Sequence, residues 1–169
     1  MHRRALNHFC LRLEIRPRGP LLVQGSDQAP DPSRPDLAFV RTRHWELGET
    51  IFLPGTGLKG AVRSHAEATL RGLDVPVCDP LRSSACSANT TGASPAVYAA
   101  MCPACRTFGS LDLAGRLDFT DAMPWPPEAD SEARRAAAVV ANATERRAHV
   151  GIDRRTGGPR SGALYETEE

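Results

Sequence analysis

Cys102-Pro103-Ala104-Cys105 is a C-x-x-C knuckle, and Cys78 and Cys86 supply a second pair upstream across a small polar loop. Zinc takes four thiolates tetrahedrally, and two such pairs can close a site that leaves no position open for water, so the expected role is structural zinc. A thioredoxin-like redox motif also uses C-x-x-C, but it needs a strand-helix-strand setting and leaves the upstream pair unexplained. His65 offers a substitute ligand, although a solvated histidine on the exposed face of a helix is its blander state. The chain holds five cysteines, an odd number, which speaks against a disulfide framework.

A second chemistry-bearing stretch is Leu53-Pro54-Gly55-Thr56-Gly57-Leu58-Lys59-Gly60. Backbone without side chains can approach a phosphate closely, and a helix N-terminus adds partial positive charge. Lys59 and Arg63, four apart, would share a helical face beside it. A nucleotide-triphosphate loop needs its lysine after the last glycine and followed by Ser or Thr; here Lys59 precedes Gly60, so an extended phosphate backbone fits better. A tight strand-to-helix turn explains the glycines equally well. In the loop, Asp27, Asp31 and Asp36 are carboxylates able to hold a metal ion or orient a 2′-hydroxyl beside a scissile phosphate, or merely to form solvated turns.

Several elements must position these groups. Phe9, Leu11, Leu13 and Ile15 alternate with polar neighbours, predicting a half-buried strand with Cys10 as a bystander on its polar side. Leu21-Leu22-Val23 predicts a second extended segment. Residues 26–36, with three prolines and three aspartates, predict a projecting loop. Thr50-Ile51-Phe52-Leu53 predicts a strand. Leu58, Val62, Ala66 and Leu70 recur every four residues, predicting a helix that follows the glycine-rich turn and stops near Gly72. Residues 76–108 are too poor in large apolar groups to fold without a staple. Arg116 to Ala122 predicts a further strand, 123–132 a polar linker, and 144–166 a hairpin turning at Gly157-Gly158 with arginines near its tip.

The 169 residues suit a single domain, and the order of elements makes it α+β. Net charge is +1, but of 21 basic residues only Lys59 is lysine; arginine suits phosphate and stacked bases, and a GC-rich genome also favours it. The first residues lack the apolar run of a signal peptide and no stretch is long enough to span a bilayer, so the expected location is the cytoplasm, without membrane contact.

Taken in order, the motifs resemble the RAMP superfamily of CRISPR-associated proteins, specifically the backbone subunit of type III effector complexes. The residues carrying the resemblance are Pro20-Leu21-Leu22, the run Phe52 to Ser64, the cysteine pairs closing in Cys105-Arg106-Thr107-Phe108-Gly109-Ser110, and Val150-Gly151-Ile152-Asp153-Arg154-Arg155-Thr156-Gly157-Gly158. The resemblance implies an RNA-recognition-motif-like (ferredoxin-like) core over 1–169, with a zinc-binding insertion at 76–108 and a thumb hairpin at 144–166, truncated at the C-terminus. It implies CRISPR guide RNA, complementary target RNA and other subunits or further copies of the chain as partners. Gly55, Thr56, Gly57, Lys59, Gly60 and Arg63 would lie against the guide backbone, while Ile152, Arg154 and Arg155 would push between guide and target. Asp36, with Asp31 and Asp27 in reserve, would carry cleavage of target RNA dependent on Mg²⁺ or Mn²⁺. A non-catalytic RNA-binding subunit and a zinc-stapled scaffold fragment are the alternatives. Thr56 stands where serine is usual, which keeps the hydroxyl.

Overall fold

The computed structural model describes residues 7–25, 34–83, 85–88, 92 and 94–169. They form an α+β chain in two compact units, Met1–Leu13 with Pro54–Thr120, and Glu14–Leu53 with Asp121–Glu169. No helix among the described residues is long and apolar enough to cross a membrane.

In the first unit, helix α1 spans Gly55–Gly72. It ends at the glycine the sequence marks, but it begins earlier than expected: Gly55, Gly57 and Gly60 lie in its first two turns instead of in a loop before it. Pro54 at φ −61 starts it, no side chain caps it, and no acidic residue occupies its first turn. Gly55 is glycine for an internal reason, because a β-carbon there would run into the Phe119 carbonyl. Helix α2 spans Ser94–Ala100, and α3 spans Pro103–Phe108. Proline at the first position of α3 is prearranged for a helix start. Gly109, at φ +93 and with a β-carbon position only 2.7 Å from the Gly115 amide nitrogen, ends it. Val97, Met101, Cys105 and Leu113 form a small buried core on which Cys78, Cys86, Tyr98 and Cys102 pack.

In the second unit, β1 (Arg41–His44) and β2 (Gly48–Ile51) pair antiparallel. The strand expected over 50–53 is therefore shifted toward the N-terminus; beyond Ile51, only Leu53 pairs, in an isolated bridge with Ala122. Helix α4 (Ser131–Asn142) packs against β2, and its Asn142 side chain accepts from the Ile51 amide at 3.1 Å and donates to the Glu49 carbonyl at 3.0 Å. β3 (Arg146–Ile152) and β4 (Pro159–Glu168) form the long hairpin expected over 144–166, with an irregular register between Val150 and Ile152. Leu37 adds to β4 in parallel, exchanging backbone bonds with Glu166 and Glu168 at 3.0 and 2.9 Å.

Three expectations are corrected. Residues 7–15 keep the alternation but form no strand: among the described residues no ladder pairs with their backbone, and Phe9 and Leu11 are each 85% exposed. Residues 116–121 likewise form no strand: Arg116 and Leu117 donate their amides to the Thr107 carbonyl at 2.8 and 3.3 Å, and Ala122 forms an isolated bridge with Leu53. The polar linker at 123–132 holds a core residue, Trp125, whose ring meets His44 edge-on at 5.4 Å, and it leads into α4 at Ser131. Of the loop at 26–36, the portion with Asp27 and Asp31 lies outside the described residues.

Candidate functional site

The arm after α1 delivers Cys78, a short 3-10 turn begins at Cys86, Cys102 directly precedes α3, and Cys105 sits within it. The C-x-x-C spacing places Cys102 and Cys105 about one helical turn apart, so both sulfurs face the same side. All four Sγ atoms lie within 4.8 Å of one another, with no histidine among them; His65 is exposed on α1. Cys78 Sγ stands 3.5 Å from Cys105 Sγ and 3.7 Å from Cys102 Sγ. Thiolates bonded at about 2.3 Å to a tetrahedral ion are about 3.8 Å apart, whereas a disulfide holds its sulfurs at about 2.05 Å, so the spacing is that of ligands around an ion. The four cysteines could thus hold a metal ion.

The surroundings favour thiolate at one position first. Burial opposes ionisation of Cys102, but the N–H groups of Cys105 and Cys78 point at its sulfur and outweigh burial, bringing it down to about 7. Burial and the neighbouring Cys78 and Cys102 sulfurs push Cys105 up, and burial likewise raises Cys86. The Cys102 amide donates to Cys86 Sγ at 3.3 Å, a bond of the kind that fixes a ligand's orientation.

Helix α1 also carries the expected RNA-facing residues. Thr56, Gly57 and Gly60 are exposed, and a β-carbon on Gly57 or Gly60 would meet nothing within 4 Å among the described residues. Lys59 is partly exposed and makes no ion pair among the described residues. Arg63 does not join them. Its Nε pairs with Glu67 Oε1 at 2.8 Å, its Nη1 donates to the Gly109 carbonyl at 2.9 Å, and its Nη2 lies 3.5 Å from Cys105 Sγ. The buried Glu67 that receives it escaped the reading of the sequence, although Arg63, Glu67 and Arg71 at intervals of four were a visible sign of a paired helical face.

Within the second unit, Ile152 is 56% exposed, and Arg154 and Arg155 lie exposed in the turn that joins β3 to β4. Asp153 pins that turn: its carboxylate accepts the Arg155 and Thr156 amides at 2.8 and 3.1 Å, which holds it below the ordinary carboxylate range. Asp36 is exposed, and its Oδ2 accepts the Glu166 amide at 2.9 Å.

The described residues thus combine an α+β fold, a cluster of four cysteines that could hold a metal ion and, in the second unit, a long hairpin with arginines in its turn. The family model of the RAMP superfamily matches residues 46–169, and the chain belongs to that superfamily of CRISPR-associated proteins. No curated protein matches it significantly.

Proposed function

We propose that this chain is a guide-RNA-binding backbone subunit of a type III CRISPR effector complex, with the glycine face of α1 held against the RNA backbone. The observation that carries the reading is the pairing of Gly57 and Gly60 on an open helical face beside Lys59. Glycine within a helix costs about 1 kcal/mol relative to alanine, and nothing within 4 Å among the described residues excludes a β-carbon at either position. The demand for bare backbone therefore points outward, to a ligand that approaches closely. The first turn, free of acidic residues, adds the partial positive charge that suits a phosphate. Gly55 supports this face from within, and Thr56 adds a hydroxyl donor.

In this reading the RAMP core is ferredoxin-like, residues 76–108 are an insertion whose Cys78, Cys86, Cys102 and Cys105 would hold structural zinc, and residues 144–166 are a thumb. Zinc suits an all-thiolate set better than magnesium or calcium, which take oxygen ligands. Ile152 would wedge between bases while Arg154 and Arg155 meet phosphates. Guide RNA, complementary target RNA and neighbouring subunits are the partners, in the cytoplasm.

Cleavage is assigned to Asp36, whose exposed carboxylate would hold Mg²⁺ or Mn²⁺ beside the target phosphate; Asp31 and Asp27 remain the reserves. A second reading, a non-catalytic subunit, is favoured by the Asp36 to Glu166 bond, because a carboxylate bracing β4 has a structural duty. Incubating the assembled complex with complementary target RNA and Mn²⁺ separates the two. Cuts abolished by Asp36→Asn, a change that keeps a carbonyl acceptor for Glu166, support the nuclease; intact target with the wild-type complex supports the structural subunit.

A further inference from the structure

The feature that neither the family nor the RNA reading absorbs is the charged row on the inner face of α1. Arg63, Glu67 and Arg71 follow one another at intervals of four, and Glu67 between them is buried, its side chain 9% exposed. Arg71 Nη2 lies 3.3 Å from Glu67 Oε2 and 3.3 Å from the Cys78 carbonyl. Arg63 meets Glu67, the Gly109 carbonyl and Cys105 Sγ with three different nitrogens, and its side chain is 22% exposed. Two arginines on one helix thus reach both arms of the cysteine cluster, Arg71 at the backbone of Cys78 and Arg63 at the sulfur of Cys105.

An exposed arginine meant for RNA keeps its fork in solvent; Arg63 has every nitrogen engaged inside the unit. Four thiolates around one divalent cation carry a net charge of about −2, and a partly buried cluster of that charge is stabilised by a nearby cation. Arginine is suited to this place because it stays protonated and offers several donors in a rigid fork. Glu67 aligns the fork, and its own negative charge is balanced by the second arginine.

We propose that Arg63 is a positioning residue of the metal centre, which holds the Cys105 thiolate and offsets the charge of the cluster, with Glu67 and Arg71 keeping it in place. The proposal rests on the metal reading above and is independent of RNA binding.

The test uses the purified full chain, stripped of metal under reducing conditions, titrated with zinc against a chromophoric chelator and separately with cobalt(II), whose thiolate absorption reports ligand geometry. Arg63→Gln is expected to weaken zinc binding by about 10- to 100-fold and to alter the cobalt spectrum. Arg63→Lys, which keeps the charge without the fork, should recover part of that loss. Zinc affinity within about twofold of wild type and an unchanged cobalt spectrum in Arg63→Gln would overturn the proposal. If the glutamine variant fails to fold, the lysine variant decides: zinc release several-fold faster than wild type upholds the role, and an equal rate overturns it. Wild-type chain that binds neither metal removes the metal reading and this proposal together, whereas wild-type binding with an indifferent Arg63 removes this proposal alone.

Discussion

Cys78 Sγ and Cys105 Sγ stand 3.5 Å apart although 27 positions separate them in the chain. Of the intervening residues, Val97 and Met101 join a small core with Cys105 and with Leu113 beyond it, so among the described residues the sulfurs are brought together by a segment with little apolar burial of its own. A metal bound by the folded site and released on unfolding would add its binding energy to folding and hold that segment closed.

The first expectation follows for the staple itself. Cys102→Ser should reduce zinc from about one equivalent to none per chain and lower the unfolding temperature, as should chelation of the wild type. Elemental analysis and thermal denaturation check both; full zinc content in the variant counts against the four-thiolate site.

Gly60→Ala sets stability against binding. The substitution meets open space on an exposed turn of α1, so the helix should gain about 1 kcal/mol. Guide-RNA affinity should fall at the same time, since the new methyl group stands where phosphate is expected. Chemical denaturation and filter binding on one preparation read the two effects, and a stabilised variant with undiminished affinity would detach the glycine face from RNA.

The acid limb of stability should trace to Glu168. Its carboxylate accepts from Arg41 Nη1 at 2.9 Å and from Nη2, and also from Thr144 and the Phe39 amide, and Arg41 chiefly holds it down to about 2 from an ordinary 4.5. A depressed carboxylate stabilises the fold fully above its unfolded value, and that contribution is lost as pH falls from about 4.5 toward about 2. Glu168→Gln should therefore cost up to roughly 3 kcal/mol at neutral pH and flatten the stability profile over that window. Denaturant titrations at several pH values measure it, and equal slopes in both proteins would contradict the assignment.

What could be read from the sequence was chemistry that is local. The C-x-x-C knuckle and the Gly157-Gly158 turn specify their own geometry, and both the sulfur cluster and the hairpin are found where they were expected. Partner choice was not legible. Alternation from Phe9 to Ile15 tells which side chains share a face but not whether another strand lies alongside, and among the described residues none does. Helix α4 went unseen because alanines fill most of its inner face, although Asp130, which caps it by accepting from the Ala133 amide at 2.8 Å, was a readable start signal. The spacing of Lys59 and Arg63 suggested a shared cationic face, yet Glu67 draws the arginine the other way.

The most direct test of the central claim is the binding of repeat-derived CRISPR RNA by the full chain, measured across a salt series for wild type and Lys59→Ala. Phosphate held on α1 requires wild-type affinity to fall steeply with salt, and the variant to bind about tenfold more weakly with a slope shallower by about one. Salt-insensitive binding, or a variant indistinguishable from wild type in both affinity and slope, would contradict RNA recognition by the glycine face.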